Sequence, residues 1–200
     1  MAGLDEAGRG CLFGPVCAAA VLLDPAHQLR GLDDSKQLEP ERREVLAGRI
    51  RERALGWAVA FVEAETIDRI NILQASRLAM KLALEQLDPA PDYLLVDAVR
   101  VDTQIAQLPL IHGDARSFSI AAASILAKVH RDARLVELDR EYPGYALASN
   151  KGYGSPDHLR ALQELGPTRL HRYSYAPVRK AAGLEPEQIP LAFEAVGAGV

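Results

Sequence analysis

No stretch of this 200-residue sequence stays apolar for the roughly 18 to 20 residues that a membrane span requires. The one candidate for a secretory leader, Cys11 to Leu23, is preceded by acidic rather than basic residues. Gly14-Pro15 interrupts it and no clean small-residue cleavage site follows, so a leader is not expected. Cysteine is scarce. Cys11 and Cys17 fit neither a zinc pattern nor a disulfide framework, and a cytoplasmic protein with reduced thiols is the expectation. An excess of positive charge is missing as well: the net charge of −4 argues against a protein that coats nucleic acid indiscriminately. Internal repeats, low-complexity runs and linkers are not found. At 48% hydrophobic and 25% charged, the chain reads as one domain over residues 1–200, with a helical, basic segment from about 150 to 200 packed on it.

What is present is unevenly spread. Residues 113–180 hold eleven Lys or Arg against seven Asp or Glu, a net of +4, which leaves −8 for the remainder. A local face for an anionic ligand on an otherwise acidic protein fits that asymmetry. Apolar runs at Pro15 to Leu23, Gly56 to Val62, Tyr93 to Val96 and Leu108 to Ile111 predict strands. Helical spacing predicts helices over Glu41 to Leu55, Glu65 to Leu87, Ser119 to Glu141 and Pro156 to Leu165, with a final one around Glu187 to Val196. Strands separated by helices point to an α/β layer fold. Lys128, Arg131 and Arg134 lie at three-residue steps and read as a basic helix surface.

The chemistry collects at strand ends. Asp5 and Glu6 close a short apolar opening strand and are followed at once by Gly8, Arg9 and Gly10. Adjacent like charges repel unless a cation sits between them, and hard carboxylates suit Mg²⁺ or Mn²⁺. Asp97 closes another buried strand, and Asp114 follows a fourth apolar piece. Successive strand residues point to opposite faces, so Asp5 and Glu6 share a site only where the strand ends or bends. The glycines just beyond predict such a bend. Four acids there could hold two divalent ions, the clamp used for in-line displacement at phosphorus.

The ordered motifs closely resemble the ribonuclease HII family. They are Gly3-Leu4-Asp5-Glu6-Ala7-Gly8-Arg9-Gly10, Gly14-Pro15-Val16, Asp34-Ser35-Lys36-x-Leu38, Val96-Asp97 and Gly113-Asp114-Ala115-Arg116-Ser117. Ala121 to Asp132, Asn150-Lys151-Gly152-Tyr153-Gly154, His158-Leu159 and Gly166-Pro167-Thr168-x-x-His171-Arg172 complete the set, which spans residues 1 to about 180. The resemblance implies a ribonuclease H-like α/β fold, a central mixed sheet flanked by helices with a helical C-terminal segment. It implies an endonuclease acting on the RNA strand of RNA–DNA hybrids. Single ribonucleotides embedded in duplex DNA would be cut on their 5′ side, leaving a 3′-hydroxyl and a 5′-phosphate, as ribonucleotide excision repair requires. By the same resemblance Asp5, Glu6, Asp97 and Asp114 are the catalytic, metal-binding carboxylates for Mg²⁺ or Mn²⁺. Gly8, Arg9 and Gly10 contact the ribonucleotide, Tyr153 stacks at the junction, and Lys36 and Arg172 contact phosphate. A monomer is expected.

This sequence departs from the family at Cys11-Leu12-Phe13, where Pro-Leu-Ala is frequent, at His130 in place of threonine, and at Tyr173 in place of a second arginine. Phe13 bears on how the loop packs rather than on the acids. A recombination-type nuclease of similar fold would use carboxylates too but lacks the Gly-Arg-Gly and Gly-Tyr-Gly turns. A non-catalytic nucleic-acid-binding module has no use for four carboxylates that repel phosphate. Gln188, Leu191 and Phe193 have the wrong spacing for a sliding-clamp motif and no aromatic pair, so no protein partner is assigned.

Overall fold

The computed structural model describes residues 1–26, 29, 31–32 and 38–184. Lys36, the helix expected around 187–196 and the Gln188 segment lie outside these residues. Five strands form one mixed sheet: β1 (Ala2–Ala7), β2 (Val16–Leu23), β3 (Ala54–Val62), β4 (Tyr93–Asp97) and β5 (Ala106–Leu110). Their order is β3-β2-β1-β4-β5. β1 and β2 pair antiparallel, as do β2 and β3, whereas β4 runs parallel to both β1 and β5. The opening strand therefore lies at the centre. Its neighbour β2 reads as an unbroken apolar run because both of its faces are covered.

Alternation along these strands sorts the core into two layers. Ala2, Leu4, Ala18 and Ala20 face α2 (Ala64–Ile70) and α3 (Ile72–Glu85), packing on Ile67, Ala79 and Met80. Cys17, Ala19 and Val21 face α1 (Pro40–Arg53) and α4 (Phe118–Glu141), against Leu46, Ile50, Ala122 and Ile125. The alanine run of α4 lets that helix lie flat on β1. A Cβ on Gly3 would fall 2.1 Å from the Ser119 carbonyl carbon, so no larger residue fits there. Ser117 caps the helix by accepting from the Ile120 amide.

Two local expectations fail for identifiable reasons. The helix expected over Glu65 to Leu87 is two helices, because Asn71 takes φ 65° and restarts the chain by accepting from the Gln74 amide at 3.0 Å. The apolar spacing runs straight through this break and hides it. No helix is expected between Leu165 and Glu187, yet α7 (Ala176–Ala181) forms there, begun by a proline in its first turn.

Beyond α4 come α5 (Leu147–Asn150) and α6 (Pro156–Leu165). These and α7 close over the segment that follows Gly10. Phe13 is fully buried with Leu135, Leu138, Tyr145 and Leu147, its ring edge-on to Tyr142 at 5.5 Å and to His171 at 4.8 Å. Leu12 packs with Leu162 and Val178. The unusual Phe13 thus anchors the loop rather than disturbing it. His130 also packs, its ring 5.6 Å from that of Trp57.

Candidate active site

β1 and β4 bring the first acids together. Their parallel register pairs Leu4 with Val96, which sets Asp5 and Asp97 side by side one residue further on. Asp97 accepts from the Gly113 amide at 2.8 Å, and this bond pulls a 3₁₀ turn (Gly113–Ala115) onto the end of β4. Asp114 sits half-buried in that turn with one carboxylate oxygen accepting from the Ala115 amide at 3.0 Å. Glu6 is held by Arg9, whose Nη1 lies 3.2 Å from Oε1. Asp5 is 5% exposed and is bonded by Ser124 of α4 and by the Glu6 amide. Burial, then the charges of Glu6 and Asp97, raise its carboxyl well above the usual carboxylate range.

The bend expected between Asp5 and Glu6 is not found. Ladder pairing continues to Glu6 with Ala18 and Ala7 with Cys17, so the two side chains leave β1 on opposite faces. Among the described residues, no three acidic, histidine or cysteine side chains converge closely enough to hold one metal ion as they stand. The donor chemistry nevertheless fits a hard divalent cation. Only carboxylate oxygens are offered, and the raised Asp5 is the kind of group that a nearby positive charge would relieve.

The second half of the site is the turn after Glu6. Gly8 has φ 94°, and a Cβ there would lie 1.9 Å from Nε of Arg131, so glycine is required both by the backbone and by the guanidinium beneath it. Gly10 differs: nothing lies within 4 Å of its missing Cβ, and it faces open space. Arg9 is exposed. Downstream, the Leu12 and Phe13 amides both donate to the Gly152 carbonyl, at 2.8 and 3.3 Å. That pairing places Tyr153 beside the turn with 43% of its surface exposed, and Lys128 Nζ stands 5.7 Å from the ring centroid.

Arg172 is not a surface cation. It is fully buried, with Nε donating to the Gly14 carbonyl at 3.0 Å and Nη1 to the Arg9 carbonyl at 2.8 Å. The expectation of a direct phosphate contact is corrected accordingly, because the residue is fully buried and its Nε and Nη1 are committed to backbone carbonyls of the turn. Arg131 is likewise buried rather than part of a basic helix surface. That position was legible in principle: Ala127 and Leu135, four residues either side, are also fully buried, so Arg131 belongs to the inward stripe. Lys128 instead pairs with Asp132 at 2.8 Å.

Two further buried groups support Tyr153. Thr168 donates its amide to Nδ1 of His171 at 2.9 Å, so that nitrogen carries no proton. The proton of His171 is therefore on Nε2, which donates to Nε2 of His158 at 3.2 Å, and His158 Nδ1 in turn donates to the Tyr153 carbonyl at 2.8 Å. Burial lowers both imidazoles, His171 to about 3.

A mixed five-stranded sheet with acids at the ends of its central parallel strands defines a ribonuclease H-like α/β protein. Residues 2–178 match the family model described as ribonuclease HII. Ribonuclease HII of Solibacter usitatus is 60% identical over 179 residues, 90% of this chain and 78% of that protein. The enzyme of Koribacter versatilis is 57% identical over 182 residues, covering 91% and 72%. Among solved structures, ribonuclease H2 of Pyrococcus horikoshii superposes with a TM-score of 0.76 at 26% identity, covering 91% of this chain and 96% of the other. Ribonuclease HII of Archaeoglobus fulgidus, in its complex with PCNA, gives 0.76 at 27%, covering 90% and 95%. The chain belongs to the ribonuclease HII family, enzymes that cleave the RNA of RNA–DNA hybrids.

Proposed function

We propose that this ribonuclease H cuts not only RNA–DNA hybrids but also single ribonucleotides embedded in duplex DNA, on their 5′ side, leaving a 3′-hydroxyl and a 5′-phosphate. The observation that carries this reading is the junction of the Gly8–Gly10 turn with Tyr153, next to the acids. Gly10 leaves room for a nucleotide to approach the backbone, which a Cβ would fill. The 2′-hydroxyl is the group that distinguishes RNA from DNA, and backbone donors and acceptors at such a turn read it. Tyr153 offers a rigid ring on which the neighbouring base stacks, a contact worth roughly 1–3 kcal/mol. Arg9 and Lys128 supply positive charge at the rim.

Asp5, Glu6, Asp97 and Asp114 would hold Mg²⁺ or Mn²⁺. When bound, such ions activate water and offset charge on the leaving oxygen. Apart from that, Asp97 holds the turn bearing Asp114 in place through the Gly113 amide, and Ser124 orients Asp5 from α4. No histidine is needed to take a proton. A duplex with one central ribonucleotide, labelled on both sides of it and incubated with Mg²⁺ or Mn²⁺, tests the reading. One cut 5′ of the ribonucleotide with the stated ends is expected, and an all-DNA duplex stays whole. Cutting confined to long hybrids would refute it.

A further inference from the structure

Arg131 is fully buried, and its three hydrogen bonds all go to backbone carbonyls rather than to a carboxylate. Nε donates to Pro15 at 3.0 Å and Nη2 to Phe13 at 3.3 Å, both in the segment that follows Gly10. Nη1 donates to Lys151 at 2.9 Å, in the segment that carries Tyr153. The Tyr153 ring centroid is 5.9 Å from the same guanidinium carbon. Burying a cation without a counter-charge is costly, and an apolar residue of similar volume often stabilises a fold more. What an apolar residue cannot do is reach three carbonyls on two segments with one rigid planar fork.

We infer that Arg131 is a positioning residue for substrate choice. It sets the distance between the turn that reads the sugar and the ring that stacks beside it, so that both engage one nucleotide step. This rests on the reading of the turn and Tyr153 proposed above. Gly8 is part of the device, since only glycine leaves space for the guanidinium. Lysine at 131 keeps the charge but has neither the planar fork nor the reach to three carbonyls.

The test compares kcat/KM on a single embedded ribonucleotide with kcat/KM on an all-RNA strand in hybrid, where many registers are available and alignment to one junction matters less. Arg131→Lys is expected to lower the first at least tenfold more than the second, with the Mg²⁺ dependence unchanged. In the Tyr153→Ala background the same change is expected to add less than threefold, because the group it positions is gone. A folded Arg131→Lys protein with an unchanged ratio, or losses that multiply fully in the double variant, would overturn the inference. Should Arg131→Lys fail to fold, Gly152→Ala spreads the same two segments with Arg131 intact, its Cβ falling 2.7 Å from the Phe13 carbonyl oxygen. It must lower the ratio likewise, and an unchanged ratio counts against the role. Wild-type protein that leaves the embedded ribonucleotide uncut removes the underlying reading and this inference together. Wild-type cutting with an unaltered ratio in the variants removes the inference alone.

Discussion

The two halves of the site are built differently. The half proposed to recognise the substrate, Gly8 to Pro15 with Lys151 to Tyr153, is fixed by two buried guanidiniums, by amides paired to Gly152 and by the His171–His158 hydrogen bond behind Tyr153. In the acidic half each carboxylate is bonded, Asp5 by Ser124 and the Glu6 amide, Glu6 by Arg9, Asp97 by the Gly113 amide and Asp114 by the Ala115 amide, yet no three of them converge on one point. Asp5 and Glu6 leave opposite faces of β1, and Asp5 sits buried among like charges. On the function proposed above, the shape for the nucleotide is set by folding, and convergence of the carboxylates would be left to a bound cation. Substitutions in the two halves should separate accordingly.

The largest effect is expected from the acids. Asp5→Asn or Asp97→Asn should reduce cleavage by at least a thousandfold while the protein stays folded. Turnover within tenfold of wild type would exclude the four-carboxylate assignment. Because the raised Asp5 costs stability when ionised, Asp5→Asn should also melt higher than wild type at neutral pH without divalent ions, by a few degrees. The sign follows from the linkage: a carboxyl raised by folding destabilises as pH climbs from the unfolded value toward the folded one.

A middling effect is expected on the recognition side. Tyr153→Ala should lose about ten- to a hundredfold in kcat/KM on a single embedded ribonucleotide, and Tyr153→Phe much less, if stacking dominates over the phenol hydroxyl. Melting temperature measured beside cleavage separates stacking from packing. A stable Tyr153→Ala protein with wild-type cutting would remove the ring from the site.

Smaller again is the pH response of the buried imidazoles. Burial holds His158 and His171 neutral, His171 down to about 3, while an unfolded histidine takes a proton near pH 6.5. Stability from this pair is complete above about pH 6.5 and is lost as pH falls below it, with His171 alone accounting for about 2 kcal/mol by pH 5. Thermal melts from pH 7.5 to 5 should show this slope in wild type and a shallower one in His158→Gln/His171→Gln. The smallest change belongs to His112, exposed on the acidic side: His112→Ala should leave cleavage within about twofold across pH 6–9. A large loss there, with metal binding preserved, would point to a protein general base.

How far the sequence carried differs between the halves for physical reasons. Acids closing apolar runs were readable, since Val96-Asp97 and Leu4-Asp5 need only strand ends to place them. The facing of Glu6 was not, because it depends on how far the β1–β2 ladder extends, through Ala7. Arg172 reads as a surface cation on composition alone, and only the tertiary arrangement supplies the Arg9 and Gly14 carbonyls that make it an internal brace. Phe13 could be flagged as unusual from sequence. Its burial among Leu135, Tyr145 and Leu147 required α4 and α5 in place.

A recognition surface complete without the cation should discriminate without it, and binding in EDTA measures this directly. Fluorescence anisotropy of a labelled duplex with one ribonucleotide, set against the same duplex in all-DNA form, avoids cleavage altogether. The expected result is tighter binding of the ribonucleotide duplex by about tenfold, a preference that Tyr153→Ala diminishes and Asp5→Asn retains. Equal affinity for the two duplexes in EDTA, with preference emerging only on addition of a divalent ion to Asp5→Asn or wild-type protein, would contradict a recognition half built by folding alone.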